Sequence, residues 1–195
     1  MSDAQSHLPS PESRVIYFTK QVDQSSIAEV TKKIISINSS DAKLKKLYKL
    51  NGLKYKPQPI KIFIDSYGGY VYQCMGLLSI MNASKTEIHT IVTGCAMSCG
   101  FMILISGHKR FAYEHSTPLY HQVSSGAFGM LKDMEESIAE TKRIQKKIED
   151  ITIEKTRITK KRLRKSFKGK EDWFMSAEVA LQLGVVDEIL HEIPN

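Results

Sequence analysis

Gly94-Cys95-Ala96-Met97-Ser98-Cys99-Gly100-Phe101 is a lone serine among small residues, set between two apolar runs. The strand-like run Ile88 to Val92 leads into it, and the wholly apolar run Phe101 to Ile105 leaves it. That order predicts a strand, a sharp turn and a buried helix, with the Ser98 hydroxyl presented at the turn. Small neighbours let backbone N–H groups approach a substrate carbonyl. The helix N-terminus adds a dipole that favours an anion. A buried helix that simply begins at a serine N-cap fits the same residues. The G-x-S-x-G pattern of a hydrolase elbow is absent, because Ala96 stands where its first glycine would be.

Upstream, Ile60 to Ile64 reads as a buried strand. It ends in Asp65-Ser66-Tyr67-Gly68-Gly69, and a helix follows from about Val71 to Asn82. A glycine pair at such a junction lets the backbone come close to a ligand, or only makes a tight turn. It is not a phosphate-binding fingerprint, since no G-x-G-x-x-G or G-K-[ST] follows. Val15 to Phe18 reads as the first strand, and Ser25 or Ser26 as the cap of a helix carrying Ile27, Val30, Ile34 and Ile35. Residues 38–58, polar and lysine-rich, read as a loop or a short extra helix. Residues 1–13, rich in Ser, Pro and acidic side chains, are expected to be disordered.

Downstream, Lys109 to Tyr113 and Leu119 to His121 read as short strands, and Ser124 to Gly129 as a flexible link. Met130 to about Lys155 is a long helix with Met134, Ile138, Ile144, Ile148 and Ile151 as its apolar stripe. At 1.5 Å per residue it is roughly 40 Å long, more than a small domain needs to cover its core. A helix of that length is expected to pack on another subunit. Thr159 caps a short basic helix ending near Phe167. Ser176 caps a helix that Gly184 stops, and Val185 to Ile189 is the last strand. Strands alternating with helices imply an α/β domain with parallel strands.

The 195 residues suffice for one domain with a substantial core. No apolar run approaches a membrane span, and the polar start carries no signal-peptide pattern. The three cysteines, Cys74, Cys95 and Cys99, form no disulfide framework, which points to reduced thiols in a cytoplasm. They also lack companions at zinc spacing, so they read as small core residues, and no metal or cofactor is expected. Lys155 to Lys170 holds nine basic residues and no acidic one; taking those nine from the net charge of +7 leaves −2. The basic character therefore belongs to one segment. It reads as a solvated helix face, with a nucleic acid or an acidic partner as the alternative.

A serine becomes nucleophilic when a neutral imidazole takes its proton and a carboxylate fixes that imidazole. Of six histidines, His7 and His191 lie near the ends, His108 and His115 in polar loops, and His89 within a strand. His121 differs, because it closes a short apolar strand and precedes a glycine-containing link. A lone histidine there is structural more often than catalytic.

From about Arg14 to Ile193 the chain resembles the proteolytic subunits of the Clp protease (ClpP) family, which are self-compartmentalised serine peptidases of crotonase-like fold. The resemblance rests on Arg14 to Phe18, on Ile64-Asp65-Ser66-Tyr67-Gly68-Gly69, on Ala96-Met97-Ser98-Cys99-Gly100 and on Tyr120-His121-Gln122. It extends through Asp172-Trp173-Phe174-Met175-Ser176-Ala177-Glu178 to Gly184-Val185-Val186-Asp187, all in the family's order. It implies an α/β fold of repeated β-β-α type units over residues 14–195, with a long protruding handle helix at about 129–155. It implies Ser98 as nucleophile, His121 as general base and Asp172 as third triad member. The backbone N–H groups of Gly69 and Cys99 would form the oxyanion hole. Val71 and Ser124 would lie on segments that hold an extended peptide by strand addition.

The implied assembly is two stacked heptameric rings, a tetradecamer with its active sites inside. The substrates would be unfolded or extended polypeptides, and an AAA+ unfoldase ATPase is the candidate partner. Nucleic acid is not the expected partner, and neither is a membrane.

The sequence departs from the family in four places. Tyr67 stands where proline is usual, which leaves that loop less rigid. Cys99 replaces the usual Met, although only its N–H matters to the oxyanion. Residues 38–58 are longer than the family norm. The stretch before Arg14 is shorter than the segment that normally forms axial loops and helps engage the ATPase. These features suit a divergent, phage- or plasmid-encoded member, and a head-maturation protease working without an ATPase is the alternative. An inactive ring homologue would not need the full Ser98, His121 and Asp172 set. An acyl-CoA enzyme of the crotonase superfamily would not need it either.

Overall fold

Strand β3 (Ile88–Met97) is the spine of the molecule, because it serves two sets of neighbours along its length. The computed structural model describes residues 13–193, so the expected disordered segment 1–13 lies outside the described residues except for Ser13. In chain order the elements are β1 (Val15–Phe18), α1 (Gln24–Leu50), β2 (Ile60–Ser66), α2 (Val71–Ala83), β3, α3 (Cys99–Ile105) and β4 (Lys109–Tyr113). There follow β5 (Thr117–Tyr120), α4 (Leu131–Lys155), α5 (Lys160–Gly169), β6 (Trp173–Phe174), α6 (Ala177–Gln182) and β7 (Glu188–Leu190). The sheet runs β1-β2-β3-β4-β7, all parallel. The α/β architecture with a parallel sheet follows the expectation.

The first half of β3 pairs with β2 and β4. Its last three residues, Cys95 to Met97, take Thr117 to Leu119 of β5 in place of β4, while Ala96 keeps Ser66 of β2 on its other side. β5 then takes β6 as an antiparallel partner, through Leu119 with Phe174 and Tyr120 with Trp173. β5 and β6 thus branch from the same seven-stranded sheet at the far end of β3. Every residue of α3 is buried, which is why its sequence is apolar all round. In β2, Ile60, Ile62 and Ile64 are buried while Lys61, Phe63 and Asp65 between them are not, the period of two that a strand imposes. In α2, Cys74, Leu77, Leu78 and Met81 recur at helical spacing and face the core.

Three expectations need correction. Helix α1 does not end near residue 35 but continues through the polar stretch to Leu50, and its N-cap is Asp23, which accepts from the Ser26 N–H. The lysines are good helix formers, and Ile37, Asp41 and Leu44 keep one face of that extension buried. Asp41 is held there by Arg14, with an Nη1 to Oδ2 distance of 2.9 Å, and by Tyr55 and Thr86, each at 2.6 Å. The last strand begins at Glu188, not Val185. Val185 and Val186 are buried in the turn that leaves α6, and Asp187 pairs through both backbone and side chain with Arg110. Trp173 and Phe174, not foreseen as a strand, form β6.

Candidate active site

Ser98 sits where β3 becomes α3, with φ 54° and ψ −118°. Positive φ in a non-glycine residue costs conformational energy and persists only where the surroundings impose it. Among the described residues only Ser98 and Lys170 show it outside glycine. Ser98 occupies the N-cap position, yet its side chain makes no capping hydrogen bond. The simple N-cap reading of this serine therefore does not hold. Its backbone is fixed by β5, the Ser98 N–H donating to the Leu119 carbonyl at 3.2 Å. Cys99, as the first residue of α3, carries an N–H that the helix cannot satisfy.

The Gly68-Gly69 turn is tied to the segment before α1. Val22 N–H donates to Gly68 O and Tyr70 N–H to Val22 O, both at 2.8 Å, while Ser66 Oγ donates to Lys20 O at 2.6 Å and accepts from Gly68 N–H. These bonds tie the turn to residues 20–22 on one side, and Tyr67 itself is exposed. The Cys99 thiol lies 3.3 Å from the Gly69 carbonyl and closes the turn onto α3. Its neighbour Cys74 is fully buried, and its contact with Cys99, together with burial, pushes its thiol well above the ordinary value. All three cysteines are free and buried, as small core residues.

His121 and Asp172 meet because of strand register. Tyr120 and Trp173 are an antiparallel pair, so the residue just after β5 and the residue just before β6 come opposite one another. His121 Nδ1 and Asp172 Oδ1 are 3.6 Å apart, a contact longer than a hydrogen bond. The His121 side chain is 31% exposed and that of Asp172 64%. Tyr120 anchors the strand end from the core: its ring meets Phe101 edge-on at 5.7 Å, and burial pushes its hydroxyl up to about 12.

A cavity of about 420 Å³ lies over Ser98. Gly69, Val71, Ser98, Cys99, His121 and Ser124, all singled out from the sequence, line it, and Asp172 stands behind His121. Among the described residues no three His, Cys, Asp or Glu side chains gather where they could hold a metal ion.

Two contributors were invisible in the sequence. Gln145 of α4 accepts from Val123 N–H at 2.8 Å and reaches toward the Tyr120 hydroxyl, so the long helix holds the wall of the cavity. Arg162 of the basic helix contacts the residues on either side of Asp172. A glutamine in an amphipathic helix and an arginine in a basic run carry no local signal of such partners.

Comparison with known proteins is in keeping with this arrangement. Residues 10–193 match the model of the Clp protease family. Over 137 residues the chain is 31% identical to the ATP-dependent Clp protease proteolytic subunit of Deinococcus radiodurans, a match covering 69% of this chain and 66% of that protein. The chain thus spans just under two thirds of that relative's length.

Proposed function

The chain belongs to the Clp protease family, and from that premise we propose that it is a serine endopeptidase with a Ser98, His121 and Asp172 triad. The observation that carries this reading is the strained Ser98 turn, which shares its cavity with His121 and has Asp172 behind that imidazole.

In the proposed reaction an extended peptide lies between the Val71 and Ser124 segments. Ser98 Oγ attacks the scissile carbonyl carbon and His121 takes the hydroxyl proton. The oxyanion is received by the Gly69 and Cys99 N–H groups. Collapse of the tetrahedral adduct expels the amine, which takes the proton from His121. Water, deprotonated by His121, then attacks the acyl carbon, and the acyl–Oγ bond breaks as His121 returns that proton to Ser98 Oγ. Asp172 orients the imidazole and stabilises its cation. Catalytic contacts tighten with substrate bound, and closing the 3.6 Å gap to a hydrogen bond needs a shift of less than an ångström.

The proposal extends to assembly. The lead-in and first turns of α4 expose Phe128, Met130, Leu131 and Ile138, as a handle that stacks two rings would. Heptameric rings enclosing a chamber, fed with unfolded polypeptides by an AAA+ unfoldase, complete the reading. A cytoplasmic setting goes with it. Among the described residues no helix is long and apolar enough to cross a membrane.

Intact-mass labelling with a fluorophosphonate probe tests it. One adduct on the wild type and none on Ser98→Ala is the expected result. No adduct on folded, assembled protein would favour an inactive ring homologue. Asp172→Asn is expected to retain the fold and lower kcat by up to roughly 10⁴.

A further inference from the structure

Asp172 is a mostly exposed carboxylate at the end of the short link, residues 170–172, that joins α5 to the two-residue strand β6. A side chain so placed holds its position only if the backbone is gripped on both sides. On the far side, Trp173 pairs with Tyr120. On the near side, Lys170 ends α5 in the left-handed conformation, Glu171 N–H donates to Ser166 O at 3.1 Å, and Ser166 Oγ donates to Glu171 O at 3.3 Å.

One side chain spans both grips. The Arg162 guanidinium donates to Glu171 through Nη1 at 2.8 Å and Nη2 at 3.1 Å, and its central carbon lies 3.6 Å from the centroid of the Trp173 ring. Arg162 therefore holds residues 171 and 173 and straddles Asp172. The hydrogen bond from Arg162 also holds Glu171 below its ordinary value, and Asp172 is the neighbouring acid whose Oδ1 faces His121. Only a planar guanidinium can make a forked pair with a carboxylate and lie over an aromatic face at once; a lysine ammonium cannot. The other basic residues of α5 do not share this role. Lys160, Lys161, Arg164, Lys165 and Lys168 are exposed, whereas Leu163 and Ser166 bury the helix's inner face.

We infer that Arg162 is a positioning residue for the active site, holding the Asp172 segment in register with His121 by clamping Glu171 and Trp173 together. This rests on the proposed triad, in which Asp172 is the third member. It gives one residue of the basic segment a function separate from its charge.

The test uses the full-length assembled protein and a fluorogenic peptide amide, measuring kcat and KM separately. Arg162→Ala is expected to lower kcat by about 10- to 100-fold, the scale on which displacement of a catalytic group by an ångström acts, with KM unchanged. Arg162→Lys is expected to restore only part of that loss. In an Asp172→Asn background Arg162→Ala is expected to add nothing, because two residues acting through one interaction are not additive. A wild-type kcat in Arg162→Ala overturns the inference, as does a loss that multiplies fully onto that of Asp172→Asn. If Asp172→Asn itself turns over normally, the triad reading fails and the positioning role fails with it. Should Arg162→Ala give no soluble protein, Glu171→Gln removes one arm of the clamp. It is then expected to show a smaller loss with the same non-additivity.

Discussion

Gly68 lies flat against Ser98. A Cβ built on it would come 2.8 Å from Ser98 Cβ and 2.7 Å from Met97 O, at a φ of 96°. Gly68→Ala is therefore expected to displace the Ser98 turn and slow its fluorophosphonate labelling by about 10²-fold. Gly126→Ala, with nothing within 4 Å, leaves the rate unchanged; equal rates for the two variants would show a turn that tolerates displacement. Away from the site, Asp41 answers to pH. Burial would raise its carboxyl, but hydrogen bonds from Arg14, Thr86 and Tyr55 outweigh burial and hold it below the ordinary value. Its contribution is present above the unfolded carboxylate value of about 3.9 and is lost as pH falls through the lower folded one. Tyr55, raised to about 12 by burial and Asp41, has the opposite sign. Its contribution is complete below the unfolded value of about 10 and is lost as pH rises toward the folded one. Asp41→Asn breaks a buried pair and is expected to cost about 3–5 kcal/mol at neutral pH. The gap between the urea midpoints of variant and wild type should narrow as pH falls below about 3.9, and a gap independent of pH would remove Asp41 from this role. Ser98, His121 and Asp172 were legible as residue types in a known order. The Ser98 backbone conformation was not, because β5 imposes it from another part of the chain.

The two halves of α4 are different structures within one helix. Ile144 and Ile148 are buried against the body, whereas Ile138 is 48% exposed. Ile144→Ala is expected to destabilise the subunit by about 2–5 kcal/mol, the usual cost of a large-to-small change in a core. Within a single subunit Ile138→Ala is expected to stay within about 0.5 kcal/mol, since that side chain acts at the proposed ring contact. Urea unfolding followed by circular dichroism separates them, and similar losses would mean that both halves pack on the same core. The periodic stripe of α4 was plain in the sequence, and α4 starts at Leu131, one residue from the expected Met130. The length of α1 was not plain. Ser39-Ser40-Asp41 reads as a loop until Arg14, 27 residues upstream, is seen to bury Asp41. β6 was missed for a related reason: it is two residues long and exists only because β5 lies beside it.

At the scale of the whole molecule, the apolar surface at the start of α4 asks for a partner that the single chain does not supply. Under the proposed ring assembly, Leu131→Asp is expected to lower the mass measured by native mass spectrometry from stacked rings to single rings, while each subunit keeps its circular dichroism spectrum. An unchanged mass would put the ring contact elsewhere. The sequence by itself determined the α/β class, the order of most elements, the family and the residues gathered around the cavity. Those features depend on apolar periodicity, capping and motif order, which act over a few residues at a time. Tertiary structure alone decided which residues meet across long separations. Arg14 finds Asp41, Gln145 reaches Val123 and Tyr120, and Arg162 bridges Glu171 and Trp173. His121 reaches Asp172 because β5 and β6 pair in one register, and a slip of one residue would turn every side chain to the other face. That register is set by packing between distant segments, so no local stretch of sequence records it.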